Sequence, residues 1–279
     1  MWRTRLVATP RGRFEVFELG QGPPLCVTHL YSAFDASGDL FAACFAPYRK
    51  VYLVNLRGAG NTQPAEQPDD LSMSAAVLDL EAVRKALGHS QWDVAGHSTG
   101  GMLGLAYAVA HGEALRSLIV VGAAASRHYA DTPHCIYHPE HPAFQRMQDL
   151  IEALKADGAT PDLRRRLTEE RTKLSLHHPE RYSTYVRPDV TKRISAPRLD
   201  YYGQTDFPRF DLRSRLRDCP VPTLVLCGRH DVQCPVASSQ EIAALMPQAD
   251  LVVFEESNHY PHLEEEPAFA GTVSRFLRR

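Results

Sequence analysis

The sequence predicts an α/β protein: a mostly parallel central sheet flanked by helices, with one helical insertion. Three observations carry that expectation. Over residues 1–125, short β-branched runs alternate with helical patterns. Several runs, Leu118-Ile119-Val120-Val121 most clearly, are apolar without alternation, as parallel strands covered on both faces are. From about residue 126 to 215 the chain turns polar, rich in Pro, His and Arg with no strand-like apolar run, and near Val221 the β pattern returns. The expected division is a core of residues 1–125 and 216–279, interrupted by a helical cap at 126–215.

Residues 3–8 and 14–19, separated by Pro10-Arg11-Gly12, read as an antiparallel hairpin. Residues 25–29 and 50–56 are apolar runs of strand length, with a helix-compatible stretch at 40–45 between them. A helix is expected over 74–87, where Met73, Ala76, Val77, Leu80, Val83 and Leu87 share one face at 3.6 spacing. Residues 92–95 make the next strand. The segment 102–110 is apolar almost all round, the pattern of a buried helix, and 118–121 is another strand. In the insertion, Phe144, Met147, Leu150, Ile151 and Leu154 mark one amphipathic helix, and Leu163, Leu167 and Leu174 suggest a second. The core resumes with a strand at 223–227, a helix at 238–245, a strand at 251–255 and a closing helix at 267–277.

Composition removes several classes of function. With 31 Lys plus Arg against 33 Asp plus Glu the net charge is −2, and no basic block supplies a nucleic-acid footprint. No run approaches the length of a membrane span, and the start, MWRTRLVATPRG, has no apolar signal region. The six cysteines are scattered without C-x-x-C, which points to reduced thiols in a cytoplasmic protein. The expected partner is a small-molecule substrate, with no nucleic acid and no membrane; the sequence carries no signal of oligomeric state.

The chemistry is concentrated in Gly96-His97-Ser98-Thr99-Gly100-Gly101, a G-x-S-x-G with a strand before it and a buried helix after it. Such a turn strains the serine backbone and brings neighbouring chain so close that side chains at 96 and 100 would clash. It projects the hydroxyl above the sheet at a helix N-terminus, where developing negative charge is favoured. A serine hydroxyl needs a base, and the base an orienting acid, each expected after a late strand. Asp231 follows the strand at 223–227, and His259 follows the strand at 251–255, both at the carboxyl edge of the sheet. His262 is a competing base, set aside because Pro261 intervenes and His259 lies nearer the strand end. His230 adjoins Asp231 without an obvious role, and His97 should pack or hydrogen-bond beneath the serine. An oxyanion hole is expected from the backbone N–H of Thr99 and that of Tyr31, or Leu30, on the loop after the strand at 25–29. Tyr201, Tyr202, Phe207 and Phe210 close the insertion and are candidates for an apolar substrate pocket. His134, Cys135, His138 and His141 match no closed metal site, so neither metal nor cofactor is expected.

With these residues assembled, the chain resembles a serine hydrolase of the α/β-hydrolase superfamily. More narrowly, it resembles the branch that includes the proline iminopeptidases and related capped hydrolases. The resemblance rests on Val54-Asn55-Leu56-Arg57-Gly58-Ala59-Gly60, the 96–101 elbow, and residues 221–231 and 257–266. It implies an α/β-hydrolase fold with a helical cap, and hydrolysis of a carboxylic ester or amide through an acyl-enzyme on Ser98. Alternatives are an aminopeptidase of the proline iminopeptidase kind, C–C bond hydrolysis or a lyase reaction, and a small-molecule receptor on the same scaffold. Two departures set it apart from the iminopeptidases: Leu30 replaces a glycine after His29, and Thr99 replaces an aromatic residue after the serine. Those enzymes also hold a substrate amine with cap carboxylates, for which Glu169 and Glu170 are the available pair. Haloalkane dehalogenases and epoxide hydrolases are excluded because their nucleophile is a carboxylate and position 98 is serine.

Overall fold

A computed structural model describes residues 1–156 and 158–279. The hairpin forms from β1 (Arg3–Thr9) and β2 (Gly12–Leu19), closed where Thr9 pairs with Gly12. There the Thr9 hydroxyl donates to the Gly12 carbonyl, and Gly12 takes a φ of 127° that a side chain would resist. β2 pairs antiparallel with β5 (Lys50–Val54), which pairs in parallel with β3 (Pro24–Val27). The parallel series continues through β6 (Trp92–His97), β7 (Leu115–Val121), β9 (Thr223–Gly228) and β10 (Ala249–Phe254). The order across the eight-stranded sheet is β1-β2-β5-β3-β6-β7-β9-β10.

Alternate residues of these strands feed two separate cores. Leu118 and Val120 enter one cluster while Ile119 and Val121 enter the other. That is why the strand sequences are apolar without alternation. On one face lie α2 (Met73–Ala86) and α3 (Thr99–His111); on the other lie α1 (Leu40–Ala43) and the closing helix α11 (Glu266–Leu277). Ser72 caps α2 by accepting from the Ala75 N–H, and Asp39 caps α1 by accepting from Ala42. After β9 come α9 (Val236–Leu245) and, after β10, the short α10 (Pro261–Glu264).

Between β7 and β9 the chain leaves the main sheet. It forms α4 (Phe144–Lys155), α5 (Pro161–Lys173), α6 (Tyr182–Tyr185), α7 (Ala196–Tyr201) and α8 (Arg213–Leu216). One expectation needs correction. The insertion does contain a strand, β8 (Lys192–Ile194), which pairs antiparallel with β4 (Ser32–Phe34) in a separate two-stranded ribbon. Lys192 and Arg193 are exposed, so this pairing rests on backbone hydrogen bonds and leaves no apolar run to read. The ribbon joins the insertion to the loop just after His29. Among the described residues no helix is long and apolar enough to cross a membrane, and the six cysteines are free.

Candidate active site

Ser98 sits between β6 and α3 with φ 57° and ψ −126°, the one non-glycine residue of positive φ among those described. Its N–H donates to the Val121 carbonyl at 2.8 Å, and its own carbonyl accepts from Gly101 at 2.9 Å and Met102 at 3.1 Å. These bonds hold the strained residue in place. A Cβ at Gly96 would collide with the Gly100 carbonyl, and one at Gly100 with the Thr28 carbonyl. Thr99 opens the helix, so its N–H has no partner within the helix.

Asp231, on the loop after β9, and His259, on the loop after β10, meet as buried side chains. His259 Nδ1 lies 2.9 and 3.0 Å from the two Asp231 carboxylate oxygens. The N–H groups of Gln233 and Cys234 each donate to Asp231 Oδ1 at 2.8 Å, fixing the carboxylate. With Nδ1 so engaged, Nε2 is the nitrogen left to act. The pair stands against the elbow through Gly122, which follows the residue that holds the Ser98 N–H. A Cβ at Gly122 would lie 2.9 Å from Asp231 Oδ2 and 3.1 Å from His259 Nδ1. No hydrogen bond joins the Ser98 hydroxyl to His259 among the described residues.

The neighbouring histidines make other contacts. His97 Nε2 donates to the His259 carbonyl at 2.7 Å, tying the elbow to the His259 loop from below. Burial, and then the nearby His259 and His262, hold His97 well below the ordinary histidine range. His262 packs edge-on against Phe41 and Phe269, and burial pushes it down to about 3. His230 stacks on His177 with ring centroids 4.0 Å apart.

The loop after β3 supplies the opposite wall. His29 Nδ1 lies 3.0 Å from the Ser32 hydroxyl, and Nε2 lies 3.0 Å from the Thr99 hydroxyl. Burial, followed by Lys192 and Arg171, holds His29 well below its ordinary range, so it is neutral. The Tyr31 N–H lies 3.5 Å from His29 Nδ1, too far to saturate that donor. The Leu30 carbonyl, on the same peptide as that N–H, accepts from Arg198 Nε of α7. Arg198 also donates to the Arg57 carbonyl at 3.0 Å and the Leu71 carbonyl at 3.2 Å, and is buried. Ser195 donates its N–H to the Tyr31 carbonyl at 2.8 Å.

The insertion faces this wall with aromatic side chains and a further cation. Tyr202 lies near Tyr31, with centroids 6.0 Å apart, and near Phe207 at 5.8 Å; Phe207 in turn packs against Tyr129. Tyr201 turns away, its hydroxyl donating to Asp69 at 2.8 Å. Arg171 on α5 lies within electrostatic reach of Tyr31, Tyr137, Tyr260 and His29, its Nε has no partner, and no carboxylate among the described residues pairs with it. Neither arginine announces itself in sequence, since both lie in polar stretches without a motif. Glu169 and Glu170 pair on the surface with Lys173 and Arg146. Cys135 is buried with its thiol on the Gln233 carbonyl, while His134 is exposed.

Comparison with known proteins agrees with this architecture. A family model described as alpha/beta hydrolase fold matches residues 32–266. A 2-hydroxymuconate semialdehyde hydrolase from Pseudomonas putida is 28% identical over 273 residues, covering 95% of this chain and 90% of that protein. A proline iminopeptidase from Heyndrickxia coagulans is 23% identical over 286 residues, covering 96% and 95%. The solved structure of an alpha/beta fold family hydrolase from Bacillus anthracis str. Sterne superposes with a TM-score of 0.95 at 42% identity, covering 99% of both chains.

Proposed function

The chain belongs to the α/β hydrolase fold family, and on that premise we propose that it is a serine hydrolase cleaving an ester or amide of a small anionic molecule. The observation that carries the reading is the buried Asp231–His259 pair set against the strained Ser98 turn. In the proposed mechanism His259 Nε2 takes the Ser98 proton as the hydroxyl oxygen attacks the substrate carbonyl. Asp231 keeps the Nδ1 proton in place and stabilises the imidazolium. The backbone N–H groups of Thr99 and Tyr31 receive the developing oxyanion. Collapse expels the leaving group with a proton from His259, and water, deprotonated by the same nitrogen, then releases the acyl group from Ser98.

Arg171 supports the anionic substrate. A buried guanidinium nitrogen without a partner, with no carboxylate paired to it, is suited to a substrate carboxylate. Residues 126–215 would then act as the cap that presents it. An aminopeptidase needs free cap carboxylates, and Glu169 and Glu170 are already engaged with Lys173 and Arg146. C–C bond hydrolysis is the second reading, favoured by the same arginine and by relatives named 2-hydroxymuconate semialdehyde hydrolase. A fluorophosphonate probe should label the protein at one residue, with labelling lost in Ser98→Ala. A panel of matched esters with and without a carboxylate, beside prolyl arylamides, tests the substrate. Faster turnover of the carboxylated esters, lost in Arg171→Met through a higher KM, is expected. Preference for the prolyl arylamides would overturn the reading.

A further inference from the structure

Outside this site, the corner where the insertion meets the loops after β9 and β10 gathers a second set of side chains. His177 Nε2 lies 3.7 Å and His178 Nε2 lies 3.9 Å from the same oxygen of Glu256. One ligand atom from each of the three residues falls within 4.8 Å of the others. In a tetrahedral zinc site with bonds of about 2.0–2.2 Å, ligand atoms stand about 3.4 Å apart. Small side-chain rotations therefore bring the three to one ion, leaving the fourth position to water. We propose that His177, His178 and Glu256 form a zinc-class transition-metal site that clips the insertion to the loop carrying His259.

The surroundings are those of a prepared site. The His178 Nδ1 atom faces Glu180 at 3.3 Å, so Nε2 is the nitrogen turned toward Glu256. His230 lies flat on His177 at an interplanar angle of 8°, fixing that ring's plane. The two backbones that carry the ligands share one anchor. Glu264 accepts from the His177 N–H at 2.5 Å and the His178 N–H at 3.4 Å, and through its other oxygen from the Asn258 N–H at 2.8 Å. The ligands are open to solvent, with side-chain exposures of 27%, 38% and 70% for His177, His178 and Glu256, so an ion has access. Two imidazoles and one carboxylate favour zinc, cobalt or nickel over magnesium or calcium, which prefer all-oxygen shells.

The place explains what an ion would do. Ser175, two residues before the pair, accepts the His259 N–H at its carbonyl and the Gln233 side chain at its hydroxyl. A metal bridging His177 and His178 to Glu256 closes a second link across the same seam. It holds the insertion on the His259 loop without touching the Ser98 hydroxyl.

The test uses the full chain stripped with a chelator. Zinc should bind with one dominant site by calorimetry and raise Tm by several degrees, reversed on chelation. Cobalt should give the intense visible absorption of four-coordinate geometry. Glu256→Gln and His178→Ala should each weaken binding at least tenfold and abolish the cobalt band, while their metal-free Tm stays at the parent value. Glu180→Gln should weaken binding by a smaller factor, and His134→Ala should leave it unchanged. Zinc affinity unchanged in Glu256→Gln and His178→Ala, or cobalt absorption that stays weak and six-coordinate, overturns the proposal.

Discussion

Replacing Arg198 by methionine should separate the stability of the fold from turnover at the site. The guanidinium satisfies the buried carbonyls of Leu30 and Arg57 and the half-buried carbonyl of Leu71. Methionine leaves all three without that partner, at about 1–3 kcal/mol each, or about 3–9 together. Against this, burial pushes Arg198 from the ordinary arginine value down to about 10. At 1.36 kcal/mol per decade, about 3 kcal/mol of desolvation disappears with the charge. The net loss is about 0–6 kcal/mol, with a midpoint near 3, or about 6–12 °C in Tm for a chain of this size. Turnover follows from geometry. The Leu30 carbonyl and the Tyr31 N–H belong to one planar trans peptide and point in opposite directions. Arg198 on the carbonyl therefore aims and polarises the proposed oxyanion donor. Losing one such donor costs about 10²–10³ in kcat, so release of this peptide should approach 10² with little change in KM. Arg198→Lys keeps a charge with one donor point and should fall between. Steady-state kinetics at 25 °C, beside circular dichroism of the same samples, read both effects. A folded Arg198→Met enzyme with lowered Tm and kcat within about twofold of the parent refutes the positioning role.

Two further outcomes follow from the same contacts. Asp231→Asn keeps an oxygen for the Gln233 and Cys234 N–H groups but offers its amide to His259 Nδ1, favouring the tautomer protonated at Nε2. A fall in kcat of about 10⁴ with KM little changed is expected, by analogy with the serine protease case, and near-parent turnover would move the acid elsewhere. His29, His97 and His262 are all held below their ordinary range in the folded protein, His262 at about 3. Their stability contribution is complete above an unfolded value of about 6.5 and is lost as pH falls below it, because the unfolded chain takes up the protons first. At pH 5.5 the loss is about 1.4 kcal/mol per histidine, or about 4 for the three. Urea midpoints at pH 7.5 and 5.5 measure it, and His262→Phe should remove about a third of the difference. A midpoint independent of pH over this window would show that these rings are not neutral in the fold.

What the sequence made legible was what repeats or what strains. The sheet announced itself because its strands are buried on both faces, so Ile119 and Val120 serve different cores and both must be apolar. The elbow was legible because Gly96 and Gly100 are demanded by backbone contacts rather than by packing. Asp231 and His259 could be placed by counting to the ends of β9 and β10, and the same rule favours His259 over His262 as the proposed base. The insertion resisted such reading. β8 is held by backbone bonds alone and carries exposed basic residues. Tyr201 and Tyr202 are adjacent, yet one reaches Asp69 on the surface while the other lies beside Tyr31. Here the chain widens into a π-type turn over Tyr202–Asp206, and helical spacing no longer assigns the faces. Arg171 and Arg198 look like solvated charges in a polar segment; only the tertiary fold shows what surrounds them.

The insertion meets the core at the backbones of the loops that bear the chemistry. Arg198 and Ser195 bind the two carbonyls of Leu30 and Tyr31. Ser175 binds the His259 N–H, and the Ile136 N–H donates to Val232, next to Asp231, at 2.6 Å. Backbone bonds of this kind fix main-chain direction whatever the side chains are. The proposed oxyanion donor, acid and base are thereby all positioned from the insertion side as well as from the sheet. A substrate that shifts the insertion on binding acts on all three loops together. Substitutions in the polar segment far from Ser98 should therefore change kcat as readily as KM.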